Sequence, residues 1–94
     1  PEAPFLYFTL GNLYANQSRW ADAQQAFFDA YRLATNNSDY AYNLAVSLEH
    51  IGQNSTALDY YNVALELADD SRVNFNTATV IARIDALSDI TRSN

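Results

Sequence analysis

The chain is short, acidic and free of cysteine. Its 94 residues are 49% hydrophobic and 17% charged, which is typical of one small globular domain and not of a disordered chain. Eleven acidic residues against five basic ones give a formal net charge of -6. This charge repels phosphate backbones and anionic lipids, so we predict no nucleic-acid partner. The absence of cysteine excludes disulfides, thiolate catalysis and zinc sites built on sulfur.

The chain carries no segment that predicts a membrane anchor. No apolar run approaches the ~20 residues that a spanning helix needs, so we expect no direct membrane insertion by this segment. The sequence contains no methionine and opens Pro1-Glu2-Ala3-Pro4, so we expect a fragment of a longer protein, which is free to carry an anchor elsewhere. A cysteine-free domain suits the cytoplasm and the periplasm equally, and the compartment stays open.

The pattern along the chain predicts an all-α fold. Both prolines fall within the first four residues, and alanine and leucine, which favour helix, recur throughout. Polar pairs typical of caps and turns separate the segments: Ser18-Arg19, Asn36-Asn37, Gly52-Gln53 and Asp70-Ser71. We predict five helices, over residues 4–17, 20–35, 38–51, 54–69 and 72–90.

Residues spaced three and four apart line one face of a helix, and small residues alternating with an aromatic on that face predict close helix–helix contact. In three segments the predicted faces are Tyr7, Leu10, Tyr14 and Gln17; Ala23, Phe27, Ala30 and Ala34; and Ala57, Tyr61, Ala64 and Ala68.

The strongest signal is an internal repeat. One shift of the chain against itself superimposes identical residues, namely Leu10 on Leu44, Ala23 on Ala57, Ala30 on Ala64, Leu33 on Leu67 and Ala34 on Ala68. The same shift places Phe27 on Tyr61 and Gly11 on Ala45. A fixed period of about 34 residues with two helices per period is typical of a helical solenoid.

At these positions the sequence resembles the tetratricopeptide repeat (TPR) family. The first copy matches the family pattern with Tyr7, Leu10-Gly11, Tyr14, Ala23, Phe27 and Ala30, and the second with Leu44-Ala45, Leu48, Ala57, Tyr61 and Ala64. Ala41 replaces the aromatic residue of the pattern, and Thr35 and Asp69 stand where proline is common. The resemblance implies a single domain, a right-handed α-solenoid of antiparallel helix pairs. It has repeats over 4–35 and 38–69, and a capping helix over 72–90.

The sequence does not predict an enzyme. The single histidine, His50, falls at the end of a predicted helix, where we expect it to face solvent. Asp85 and Asp89 lie four residues apart on one helical face, where two carboxylates more often decorate a solvated surface than bind metal. No nucleophile elbow, phosphate-binding loop or dinucleotide fingerprint occurs, and we predict no cofactor and no metal.

The resemblance instead implies a protein-interaction module. Family members bind an extended or helical peptide in a concave groove formed by the first helix of each repeat. Carried over by position, the groove residues are Phe8, Asn12, Asn16, Tyr42, Asn43, Val46, Glu49 and Arg83. For Phe8 and Tyr42 a core position remains an alternative. Trp20 also has two interpretations, as a packing residue across a turn or as an exposed anchor for a partner.

The groove does not match the family subtype that holds the C-terminal carboxylate of chaperones. Asn12 and Asn43 occupy two positions of that clamp, but its basic positions carry Phe8, Val73 and Thr77, and the chain has no lysine. Without cations a terminal carboxylate has nothing to pair with. An acidic surface favours a neutral or basic partner segment.

Two further interpretations concern the setting of the domain. The segment 41–49 and the following 57–61 are similar to repeats of bacterial envelope proteins, many of which serve pilus biogenesis or secretion. The alternative function is self-association, because the last helix is rich in apolar residues that a second copy could cover: Val80, Ile81, Ile84, Leu87 and Ile90.

Overall fold

The computed structural model describes residues 3–68 and 75–92, and all regular structure in these ranges is helical. The helices are α1 (Pro4–Asn16), α2 (Trp20–Leu33), α3 (Ser38–His50), α4 (Asn54–Ala68) and α5 (Thr77–Arg92). The predicted all-α class is confirmed, and the bounds of the first three predicted helices and the start of the fourth are correct to within two residues. Three parts of the prediction lie outside the described residues: Asp69 at the end of the fourth helix, the turn Asp70-Ser71, and the start of the fifth helix at 72–74, which includes Val73.

The fifth helix differs from the prediction at both ends. Phe75 and Asn76 are not helical, because the Asn76 side chain caps the helix that follows: its Oδ1 accepts hydrogen bonds from the backbone N–H of Ala78 (2.9 Å) and Thr79 (3.3 Å). The helix continues two residues beyond the predicted end, to Arg92, whose positive charge suits a helix C-terminus. Other caps follow familiar rules: Pro4 begins α1, and the Asn37 side chain caps α3.

Successive helices pack on one another in chain order, α1 on α2, α2 on α3, α3 on α4 and α4 on α5. The result is a slab of 43 × 31 × 19 Å. The core follows the repeat, because both copies contribute the same positions of their second helices: Ala23, Phe27 and Ala30 from α2, and Ala57, Tyr61 and Ala64 from α4. The predicted buried faces of α2 and α4 are therefore correct at these residues.

The predicted face of α1 is only partly turned towards the core. Tyr14 packs against the core and Tyr7 is half-buried. Leu10 and Gln17 are exposed, and the buried residue of this helix is Gly11. Because α1 is apolar around most of its circumference, periodicity alone does not select its inner side. The contact with α2 does: a Cβ on Gly11 would lie 2.5 Å from two ring carbons of Phe27, so only glycine lets this buried ring pack against the backbone of α1.

Two turns, one repeat period apart, have the same backbone hydrogen bonds. After α1 the N–H of Ser18 bonds the carbonyl of Ala15, and that of Arg19 bonds Tyr14. After α3 the N–H of Gly52 bonds Glu49, and that of Gln53 bonds Leu48. This is the Schellman ending, which needs a residue with positive φ. Gly52 (φ 83°) adopts this backbone conformation without steric cost, because it has no Cβ. Ser18 (φ 58°) does have a Cβ, which is unfavourable in the left-handed region.

This pair of turns generates a stability prediction. We expect Ser18→Gly to stabilise the domain by about 0.5–1 kcal/mol, because it removes the left-handed penalty of a side chain but adds entropy to the unfolded chain. Gly52→Ala should destabilise by a similar amount, since no atom lies within 4 Å of the new Cβ and only the φ strain acts. Urea unfolding followed by circular dichroism measures both, and a Ser18→Gly variant less stable than wild type would contradict the account.

Candidate partner-binding surface

A recess of about 340 Å³ lies where α3, α4 and α5 meet. One face of α3 runs along the recess, because residues 42, 46, 49 and 50 have the spacing of a single helical face. The lining residues are Tyr42, Val46, Glu49 and His50 from α3, Tyr61 from α4, and Thr79 and Arg83 from α5. The recess therefore combines aromatic, aliphatic and charged groups from three helices.

Glu49 joins the three helices of the recess. Its Oε1 accepts a hydrogen bond from the Tyr61 hydroxyl of α4 at 2.9 Å and one from Nε of Arg83 of α5 at 3.3 Å. Nη2 of Arg83 also forms an ion pair with Oε2 of Glu49. Both charged side chains are partly exposed, so an ion pair of this kind contributes at most ~1 kcal/mol, and it fixes positions more than it adds stability.

Arg83 keeps hydrogen-bonding capacity in the recess. A guanidinium has five N–H groups in a planar fork. Within residues 3–68 and 75–92 its only bonded partner is Glu49. The remaining N–H donors are available to an acceptor that enters the recess.

Burial raises the pKa of the Tyr61 phenol well above its usual value of 10.0, and the nearby Tyr42 raises it further. The phenol is therefore neutral at physiological pH and acts as the donor to Glu49. Burial, followed by the influence of Tyr60, also raises the pKa of Tyr31, whose ring meets the Tyr60 ring edge-on at 5.4 Å.

Aromatic contacts form the wall of the recess. The Tyr42 ring stacks on Phe75, with centroids 4.6 Å apart and planes 11° from parallel, and meets Tyr61 edge-on at 6.0 Å. A shift by one repeat period converts the Tyr42–Tyr61 pair into Phe8–Phe27, whose centroids are 5.6 Å apart. The same contact between the first and second helix thus occurs in both copies.

The structure brings together half of the predicted groove residues. Tyr42, Val46, Glu49 and Arg83 line the recess, and Tyr42 contacts the core from its edge. Tyr61 is not among the predicted groove residues, because the repeat assigns it to the core. The sequence period does relate two other residues of the recess, because Glu49 and its partner Arg83 are one full period apart.

The other predicted groove residues lie outside the recess. Phe8 is half-buried and packs on Phe27 and Tyr40, so it has the core role that the sequence left as an alternative. Asn43 donates its side-chain N–H to the carbonyl of Asp39 at 2.8 Å. Asn12 is half-buried, and Asn16 is exposed at the last residue of α1.

Trp20 and His50 form a contact that the sequence does not predict. The two rings stack 3.8 Å apart and 4° from parallel, across the start of α2 and the end of α3. Trp20 is half-buried and His50 is exposed, as expected for the end of a helix. Trp20 therefore packs under His50, which itself borders the recess.

The described residues hold no group of three or more His, Cys, Asp or Glu side chains placed to bind a metal ion. None of the described helices is long and apolar enough to cross a bilayer. No protein-family model matches the chain, and no curated protein sequence is significantly similar to it.

The Tyr61 phenol generates a pH prediction. A folded-state pKa raised above 10.0 contributes stability that is fully present below about pH 10 and is lost as the pH rises further. Tyr61→Phe should reduce the free energy of unfolding by about 1–2 kcal/mol at pH 7, since the hydrogen bond to the Glu49 carboxylate is lost. It should also make the alkaline loss of stability shallower than in wild type.

Urea unfolding from pH 7 to about pH 11 tests this prediction. Tyr14→Phe is the matched control, because it removes a hydroxyl from α1 and leaves the recess intact. Parallel alkaline curves for wild type and Tyr61→Phe would contradict the role assigned to this phenol.

Proposed function

We propose that the domain is an array of two TPR-like repeats followed by a capping helix. Three features that recur after one repeat period support this proposal: the buried residues of α2 and α4, the two Schellman turns, and the paired aromatic contacts. In a stacked array of helix pairs, equivalent residues of successive repeats make equivalent contacts.

We further propose that the array is a non-catalytic module that binds a segment of a partner protein in the recess. The observation that carries this proposal is the Glu49–Arg83–Tyr61 network beside the Tyr42 ring. It holds an apolar wall and spare N–H donors in place before any partner arrives. Binding to such a preformed surface costs little ordering of the domain.

The partner is an extended or helical segment with an apolar anchor and a neutral or positive net charge. The anchor would contact Tyr42 and Val46, and a backbone carbonyl of the segment would accept from Arg83. A net charge of -6 attracts basic segments and repels acidic ones, so the partner segment is neutral or positively charged. No cofactor takes part in this function. The similarity of 41–49 to envelope repeats leads us to propose a bacterial pilus-biogenesis or secretion protein as the parent.

Self-association through the last helix is the second candidate. Of its apolar residues, Val80 and Leu87 are buried in the domain, while Ile81 and Ile90 are exposed at 48% and 46%. These two isoleucines, nine residues apart, lie about 180° apart around the helix. They therefore do not share one surface, and α5 is the weaker of the candidate surfaces.

A peptide-display selection on the immobilised domain tests the binding proposal. We expect the enriched peptides to share an apolar anchor and a neutral or positive charge. Val46→Arg should then raise their Kd at least tenfold, because it fills the recess and adds a charge beside Arg83. Fluorescence anisotropy with labelled peptides measures the Kd.

The control is Ile81→Arg, which adds the same charge to α5 at a residue that does not line the recess. Circular dichroism confirms that both variants remain helical. Equal Kd values for wild type and the folded Val46→Arg variant would refute the recess as the binding surface.

A further inference from the structure

The outer side of α1 is a stripe of uncovered apolar side chains. We define the α1 stripe as Phe5, Leu6, Leu10 and Leu13, which are exposed at 65%, 64%, 38% and 52%. The opposite side of α1 packs into the domain through residues such as Phe8 and Gly11. A helix that is apolar on both sides is normally covered on both sides.

The stripe has the spacing of a helix-pairing seam. Leu6, Leu10 and Leu13 are four and three residues apart, which is the repeat of apolar residues where two helices pack side by side. At ~200 Å² for a whole large apolar side chain, the four exposed fractions amount to about 400 Å² per copy. The largest apolar patch on a typical monomer is of this size, and such a patch is often functional.

The charge distribution indicates what covers the stripe. Residues 3–18 contain no charged side chain, although the chain as a whole carries a net charge of -6. Each of the other described helices has at least one aspartate or glutamate. Two molecules therefore repel each other in most orientations. A contact of α1 with α1 is the exception, because α1 brings no carboxylate into the interface.

We propose that two copies of this chain form a two-fold dimer through the α1 stripe. An antiparallel pairing about an axis near Leu10 places Leu6 of each copy against Leu13 of the other, so that the same patch is buried on both. The recess lies on α3, α4 and α5, so the dimer leaves it open. The proposal is therefore independent of the recess and its partner, and each can fail alone.

The size of the interface sets the expected strength. Twice about 400 Å² lies at the low end of specific interfaces, below the ~1,200 Å² of standard ones, so the dimer dissociates on dilution. Added salt should strengthen it, because salt screens the repulsion between two negatively charged copies while the apolar contact is unaffected. An interface held by ion pairs would show the opposite dependence.

Sedimentation equilibrium of the chain from about 1 μM to about 1 mM tests the dimer. We expect the wild-type mass to rise with concentration from 10.5 kDa towards twice that value, and to rise further at higher salt. Leu6→Glu/Leu13→Glu should remain monomeric throughout. These residues are more than half exposed, so the variant should fold, and circular dichroism verifies this.

The matched control is Ile81→Glu/Ile90→Glu on α5, which adds the same charge at residues of similar exposure and should leave the dimer intact. A wild-type chain that is monomeric at every concentration would overturn the proposal. So would a dimer that the α5 variant dissociates and the α1 variant does not.

Single-cysteine variants test the two-fold geometry, because the natural chain has no cysteine. A residue near the axis meets its own copy, and a disulfide needs Cα atoms about 4.4–6.8 Å apart. Leu10→Cys should therefore cross-link under mild oxidation, and Ile81→Cys should not. Cross-linking by Ile81→Cys alone would place the interface on α5 and overturn the proposal.

Discussion

The contact between an aromatic ring of a first helix and one of the second helix beside it is the interaction on which the rest of the structure depends. Phe8 meets Phe27 in the first sequence repeat of the chain, and Tyr42 meets Tyr61 in the second. Among the described residues, Tyr61 and Phe27 are the largest side chains that are fully buried. Alanine and glycine around them let the helices approach closely, so each helix pair is set by one ring and its small neighbours.

The two copies differ where the recess forms. Tyr61 adds a hydroxyl to the buried ring that Phe27 lacks, and Glu49 occupies the position of Ala15 in the first copy. That hydroxyl reaches Glu49, which also binds Arg83. A few polar substitutions in one copy therefore turn a packing contact into a surface with a fixed charge pair, while the equivalent position of the first copy remains apolar.

Much of the fold could be predicted from the sequence, because the repeat, the polar turns and the alanine–aromatic spacing of α2 and α4 all favour the same helices. The inner side of α1 could be predicted only in part, since Leu10 and Gly11 are both acceptable core residues by pattern while Tyr14 does pack against the core. Gly11 is selected by the position of the Phe27 ring, which is a tertiary contact. The start of α5 depends on the Asn76 cap, which competes with a helical pattern that extends further back.

The candidate site was only partly predictable for the same reason. Tyr42, Val46, Glu49 and Arg83 are implied by the resemblance to the TPR family, carried over by their position in the first helix of each copy. The assignment of Phe8 to the groove or to the core needed the position of Tyr40 on the next helix pair. Asn43 and the Trp20–His50 stack likewise depend on neighbours that spacing does not reveal.

The measurement that most directly tests the central claim, that the preformed recess binds a partner, is an amide NMR titration of the domain with a display-selected peptide. If the recess binds the peptide, the largest shift changes fall on residues 42–50, 61, 79 and 83, and the shifts of α1 change little. Maximal changes on α1 or α2, with those of Val46, Glu49 and Arg83 unchanged, would contradict it.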